Sequence, residues 1–229
     1  RHYGFLEQTL QSIAWLAVAY GLLLADRRHR RPVLRWGWRL LAALATLQIV
    51  LLQLLVNNPL WSRIEIGTTP LFDLLLLAYL VPPSIAFLFA RRLRDMAPRL
   101  LAPAAAVLGL VLVFTYLTLE VRHAFHGTLL VGGGTSDAEW YSYSVVWLLY
   151  AGALLALGLY RRDARLRHAA LAMVSITVVK VFVWDMAELT GLYRAASFLG
   201  LGLCLIGIGY LYQRFVLPAP APGETGRTD

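Results

Sequence analysis

Cysteine, lysine and acidic residues are scarce in this sequence of 229 residues. The only cysteine, Cys204, lies inside an apolar run, so no disulfide can form within the chain and no thiolate metal site is indicated. Lys180 is the only lysine, and 13 acidic residues stand against 21 basic ones, for a formal net charge of +8. The basic residues are otherwise arginines in short clusters between apolar runs, without a nucleic-acid-binding motif, so no nucleic-acid partner is predicted.

Apolar residues dominate the composition. They make up 59% of the chain, with a mean hydropathy of +0.63, whereas a soluble domain is about 45 to 50% apolar. One membrane crossing needs about 20 apolar residues. Seven runs qualify, at residues 5–25, 34–56, 70–90, 100–120, 141–160, 167–185 and 194–216. The sequence therefore predicts an all-α, polytopic transmembrane bundle of about seven spans, with the lipid bilayer as its surroundings.

The links between these runs alternate in arginine content. The first, third and fifth links hold thirteen arginines, which are Arg27, Arg28, Arg30, Arg31, Arg35, Arg91, Arg92, Arg94, Arg99, Arg161, Arg162, Arg165 and Arg167. The even-numbered links hold only Arg63, Arg122 and Arg194. By the positive-inside rule the odd links are cytoplasmic, which places the N-terminus outside and the C-terminus inside.

Both ends of the chain carry further information. The sequence begins with Arg1 and has no cleavable signal pattern, because its first apolar stretch is long and contains Glu7. We expect residues 1–216 to form one transmembrane domain that is a fragment of a longer membrane protein. Residues 217–229 are rich in proline and polar side chains and are predicted to be a disordered cytoplasmic tail.

Outside the arginine clusters, most acidic and histidine residues fall at the helix ends that this topology places outside. The candidate catalytic residues are Glu120, His126, Glu139 and Asp185, and the candidate substrate-binding residues are Arg122, Lys180 and Arg194. Carboxylates and imidazoles can transfer protons, and cationic side chains can hold an anionic head group. In the competing interpretation the same residues form ion pairs that anchor the outer loops, with Lys180 snorkelling towards a carboxylate.

Residues 120–126 are the densest part of this set. If they are helical, Arg122 and His126 share one side of the helix, whereas Glu120 and His123 share another. His123 and His126 could form a metal site completed by Glu139 or Asp137. Because the His-x-x-His spacing has no third ligand at a fixed distance, no metal site is predicted. The sequence does not indicate whether the protein uses a cofactor.

Two features concern helix geometry. Pro82 and Pro83 interrupt the third run and remove backbone hydrogen-bond donors. The interruption is either a kink or a broken helix of the kind that lines the pathway of a transporter. Small residues form a stripe on the last run, which predicts close helix packing there; they are Ser197, Gly200, Cys204 and Gly207.

Several of these segments resemble a known family. They are Tyr-Leu-Thr-Leu-Glu-Val-Arg-His-Ala-Phe-His-Gly at 116–127, Ser-Asp-Ala-Glu-Trp-Tyr-Ser-Tyr-Ser at 136–144, residues 180–185, Arg-Ala-Ala-Ser-Phe-Leu-Gly at 194–200, and residues 70–83. The chain resembles the C-terminal region of a large bacterial family of predicted membrane proteins, domain of unknown function 2339. The resemblance implies a longer protein with more spans, in the bacterial cytoplasmic (inner) membrane, and no particular activity. The family commonly carries asparagine at the position of Asp73, so it implies no role for that carboxylate.

Three functions remain open from the sequence. The first is an envelope enzyme, or a subunit of one, that handles a lipid-linked or amphiphilic substrate at the outer leaflet. The second is a transporter or channel module in which the broken third helix lines a pathway. The third is a membrane scaffold that holds other envelope proteins through small-residue helix faces.

Overall fold

The computed structural model describes residues 2–67, 73–94 and 100–185, together with isolated positions between 199 and 210. The helices are α1 (His2–His29), α2 (Pro32–Gln48), α3 (Leu74–Tyr79), α4 (Val81–Leu93), α5 (Leu101–His126), α6 (Asp137–Tyr160) and α7 (Ala164–Lys180). Helix α2 continues as a π-helix over Ile49–Val56, and α7 continues as a π-helix over Val181–Asp185. The chain divides into two compact units, Arg1–Val178 and Val179–Asp229, and the packing described below is that of the first.

The predicted membrane-spanning character is confirmed for the described part of the chain. Six helical stretches are long and apolar enough to cross a bilayer, and α3 and α4 together form the third of them. The seventh predicted run, 194–216, falls largely outside the described residues, as does the predicted tail at 217–229. Helix α5 extends to His126, six residues beyond its predicted end, and therefore includes Glu120, Arg122, His123 and His126.

Helix α6 starts four residues earlier than the apolar run suggests. Ser136 has extended backbone angles, and its hydroxyl accepts a hydrogen bond from the Glu139 amide at 3.3 Å, which makes it the N-cap. A serine followed three residues later by glutamate is a recognised helix-start signal. The cap places Glu139 in the first turn of α6.

Two groups of links lie at opposite ends of the first unit. One group, which we call the arginine end, contains the tight turns at Arg30 and Arg162, and Arg94 contacts Asp163 at 3.4 Å there. The other, which we call the loop end, contains residues 57–67 and 127–136, joined by an antiparallel β-bridge between Glu65 and Leu129. Links that the sequence assigns to the same side of the membrane therefore contact each other.

Apolar side chains fill the interior and also cover the outside. The largest core cluster includes Ile49, Leu75 and Leu112, all fully buried, and joins α1, α2, α3 and α5. A smaller cluster joins α5, α6 and α7 around Tyr150 and Leu154. Leu40 and Leu149 remain more than half exposed. A surface of this kind suits contact with lipid rather than water.

Proline and π-helical geometry interrupt two spans. Leu80 separates α3 from α4, and Pro82 and Pro83 occupy the first turn of α4, where a missing amide hydrogen costs least. The Ser84 hydroxyl donates to the Leu80 carbonyl at 2.9 Å. The Leu80 carbonyl also accepts from the Ser84 amide, so this bond does not replace the donors that Pro82 and Pro83 lack, and it does not distinguish a kink from the broken helix of a transporter.

Candidate functional site

The loop end carries a cluster built around the last turn of α5. Gly127 ends this helix with a positive φ, and Gly132 and Gly133 also adopt positive φ, a conformation that side chains with a Cβ rarely take. These glycines let residues 127–135 fold back over the helix end. The loop thereby returns the chain to α6 close to the residues that α5 presents.

Arg122 holds this loop in place through hydrogen bonds. Its Nε donates to the Leu130 carbonyl at 2.9 Å, and Nη2 donates to the Gly132 carbonyl at 3.0 Å. Its Nη1 donates to Thr135 Oγ1 at 3.3 Å and to Glu139 Oε1 at 2.9 Å. Most donors of the guanidinium are therefore used inside the protein, as the loop-anchoring interpretation expects.

Glu139 lies at the centre of the cluster. Its side chain is only 1% exposed, and Oε1 accepts from Tyr143 at 2.8 Å in addition to Arg122. Its other oxygen, Oε2, is 2.8 Å from His126 Nε2. A buried carboxylate needs this degree of compensation, because desolvation of an unpaired charge is costly.

The imidazole of His126 is oriented by that carboxylate. An ionised Glu139, which the hydrogen bonds from Arg122 and Tyr143 favour, accepts from His126 Nε2, so that the neutral form of the imidazole carries its lone pair on Nδ1. Gly133 covers the same ring: a Cβ at this position would lie 3.1 Å from Nδ1. A carboxylate that fixes the tautomer of a histidine is the arrangement of a general base.

A second cluster lies on a neighbouring face of α5. His123 Nδ1 is 3.1 Å from Asp73 Oδ2 and 3.8 Å from Glu120 Oε2. Asp73 is the N-cap of α3, where Oδ1 accepts from the amides of Leu75 and Leu76. Burial raises the pKa of the Asp73 carboxyl, although those amide hydrogen bonds and the nearby His123 act in the opposite direction. The predicted division of residues 120–126 between two sides of the helix is confirmed.

The sequence-predicted site residues therefore separate into groups. Arg122, His126 and Glu139 come together, whereas Glu120 belongs to the second cluster. Lys180 is the buried last residue of α7 and belongs to the second compact unit. The side chain of Asp185 and the whole of Arg194 lie outside the described residues.

Sequence reasoning assigned no site role to Asp73, Tyr143, Thr135 and Ser136, which the structure adds to these clusters. Two spacings in the sequence could have found some of them. The spacing of Ser136 and Glu139 is typical of a helix start, and the four-residue separation of Glu139 and Tyr143 places both on one side of a helix. No sequence signal places Asp73 beside His123, because 50 residues separate them along the chain.

An apolar cavity of about 480 Å³ lies elsewhere in the first unit, lined in part by Trp38, Arg39, Phe89 and Leu101. These residues belong to the ends of α2, α4 and α5 that meet at the arginine end. The cavity therefore does not serve the clusters at the loop end.

Comparison with known proteins gives one match. Residues 2–215 match the family described as predicted membrane protein, domain of unknown function 2339. The chain belongs to this family. No curated protein and no solved structure matches it.

Membership in the 2339 family agrees with the apolar helices of the structure. The chain is a membrane protein that sits in a lipid bilayer, and its family description assigns it no activity. Any role of the two clusters is therefore argued from their own geometry.

Proposed function

We propose that this protein is an envelope enzyme, or an enzyme subunit, that acts on an amphiphilic or lipid-linked substrate at the outer leaflet of the bacterial inner membrane. The single observation that carries the proposal is the 2.8 Å contact between His126 Nε2 and the buried Glu139 carboxylate. In this role His126 Nδ1 removes or returns a proton at the substrate, and Glu139 holds the ring and stabilises its protonated form. Arg122 and Tyr143 are positioning residues.

The location of the cluster supports a substrate that is itself in the membrane. Trp61, Trp140 and Tyr141 are exposed at the same end, as expected for a belt at the level of the lipid head groups. The distribution of arginines favours an extracytoplasmic loop end. A head group of a lipid-linked substrate in the outer leaflet would then lie at the depth of His126.

The test compares a deletion strain with strains that express the full-length protein carrying His126→Gln. Lipid extracts are analysed by mass spectrometry for species that accumulate in the deletion strain. We expect His126→Gln, at wild-type protein abundance, to accumulate the same species. His168→Gln, at an exposed position near the arginine end, is the matched control and should behave like the wild type. Full complementation by His126→Gln contradicts the proposal.

A transporter role is the second candidate, because two irregular helix segments meet inside the bundle. Gln53 is buried in the π-helix, and its side-chain Nε2 donates to Ser12 Oγ at 3.4 Å. The hydroxyl of Tyr79, next to the α3–α4 break, donates to the backbone carbonyl of Gln53 at 2.7 Å. Polar groups and irregular helices at membrane depth are features of substrate pathways. Solute flux into proteoliposomes that is abolished by Gln53→Leu would distinguish this role from lipid chemistry.

The scaffold alternative has less support from the described residues. Of its four small residues, only Gly207 lies among them. The proposed seventh span, at 194–216, rests on the sequence pattern alone.

A further inference from the structure

The second cluster has the composition and spacing of a cation site. One carboxylate oxygen each from Asp73 and Glu120 and one ring nitrogen of His123 lie within 4.8 Å of one another. The three side chains are 0%, 10% and 3% exposed, respectively. Two carboxylates and an imidazole converge here in a nearly dry environment, where two ionised carboxylates repel each other strongly, so that a cation or a proton must compensate their charge.

Hydrogen bonding leaves two of these atoms unsatisfied. Oδ2 of Asp73 and Nδ1 of His123 are buried, and neither makes a hydrogen bond to any described residue, since their 3.1 Å contact lacks hydrogen-bond geometry. An unsatisfied buried polar atom costs about 1 to 3 kcal/mol. Both atoms are oriented into the same small space, which is the arrangement expected of ligands to a common ion.

The separations fit a small cation. Ligands about 2.1 Å from one ion lie about 3.0 Å apart in octahedral and about 3.4 Å apart in tetrahedral geometry. The observed separations from His123 Nδ1 are 3.1 Å to Asp73 and 3.8 Å to Glu120, so in tetrahedral geometry the first must widen by about 0.3 Å and the second must shorten by about 0.4 Å. Calcium prefers oxygen ligands alone, whereas an imidazole favours zinc and other first-row transition metals.

The surrounding residues hold two of the ligands in place. Amide donors from Leu75 and Leu76 fix Asp73 Oδ1, which leaves Oδ2 to face His123. The Tyr116 side chain is hydrogen-bonded to Glu120 one helical turn away. Outer contacts of this kind orient metal ligands and increase their affinity.

We propose that Asp73, Glu120 and His123 bind one divalent transition-metal cation of the zinc class at the loop end. The cation links α3 to α5 and neutralises the two carboxylates. This site is separate from the His126–Glu139 pair, so it stands whether or not the proposed acid–base role is correct. Its competitor is a metal-free ion pair in which a protonated His123 balances Asp73.

The test measures metal content in the full-length protein, purified in lipid nanodiscs with an affinity tag that contains no histidine. After chelator treatment the protein is dialysed against zinc, and bound metal is measured by mass spectrometry. We expect about one zinc ion per chain in the wild type. His123→Gln and Asp73→Asn should each weaken binding at least about tenfold, whereas His168→Gln should not change it.

Asp73→Asn keeps the test valid if His123→Gln fails to fold, because asparagine is as good an N-cap as aspartate. Its melting temperature should no longer rise when zinc is added, as that of the wild type does. Absence of zinc uptake by the wild type overturns the proposal in favour of the ion pair. Uptake that is lost with His126→Gln but retained with His123→Gln overturns it as well, since the metal would then lie at the other cluster.

Discussion

At the scale of single residues, Glu139 makes the contacts on which both the loop conformation and the proposed chemistry depend. One buried carboxylate accepts hydrogen bonds from Arg122 and Tyr143 and contacts His126. The same atoms therefore fasten the loop to α6 and set the tautomer of the histidine. Stability and the proposed chemistry depend on the same side chain, which makes single substitutions here hard to interpret without controls.

Glu139→Gln should lower the free energy of unfolding by about 3 kcal/mol, because it leaves Arg122 charged and largely buried without a counter-ion. Tyr143→Phe is the matched control: it removes one hydrogen bond to the same carboxylate and should cost about 1 kcal/mol. Unfolding in detergent, followed by circular dichroism, measures both. If the two variants were equally stable, the Arg122–Glu139 contact would not be an important stabilising interaction.

At the scale of helices, α6 and α7 approach closely at a single glycine. A Cβ on Gly158 would lie 3.0 Å from the Arg167 backbone nitrogen and 3.1 Å from Leu166 Cβ. Backbone atoms cannot move aside as a flexible side chain does. The turn at Arg161 and Arg162 between the two helices depends on this close approach.

Gly158→Ala should therefore destabilise the protein by about 1 to 3 kcal/mol through overpacking. Gly152→Ala, on the same helix, is the control, because a Cβ there meets no atom within 4 Å. It should be neutral or stabilising by up to about 1 kcal/mol, since alanine favours helix more than glycine does. Thermal unfolding in nanodiscs compares the pair, and equal melting temperatures would show that α7 can shift to accept the methyl group.

At the scale of the whole molecule, the prediction concerns orientation in the membrane. Contacts between Glu65 and Leu129 at the loop end, and between Arg94 and Asp163 at the arginine end, group the links into two sets. The arginine-rich set should face the cytoplasm. Exposed positions exist in both sets, at Gly134 and Arg161.

In a Cys204→Ser background, Gly134→Cys should react with a membrane-impermeant maleimide in intact cells, whereas Arg161→Cys should react only after permeabilisation. Labelling of purified protein in detergent shows that both cysteines are accessible. The reverse pattern in cells would invert the orientation and place the His126–Glu139 pair at the cytoplasmic face. The proposed outer-leaflet substrate would then be wrong.

Much of the helical framework was predictable because local composition determines it. The bilayer requires about 20 apolar residues per crossing, and six of the seven predicted runs appear as apolar helices in the described chain. Helix ends were less predictable. The apolar run ends near Glu120, but backbone hydrogen bonding continues α5 to His126, because polar residues at a membrane surface can still be helical.

The candidate site was predictable only where its members are close in sequence. The spacing within residues 120–126 fixes which side chains share a side of α5, since helical periodicity is a local property. The pairing of Arg122 and His126 with Glu139 depends on how the glycine-containing loop folds back. The pairing of His123 with Asp73 depends on how α3 packs against α5. Composition and periodicity thus determined a helical membrane protein with arginine clusters at one end and most of the remaining acidic and histidine residues at the other. Tertiary structure alone decided that these residues form two clusters, because contacts between distant segments depend on packing and loop conformation rather than on local preference.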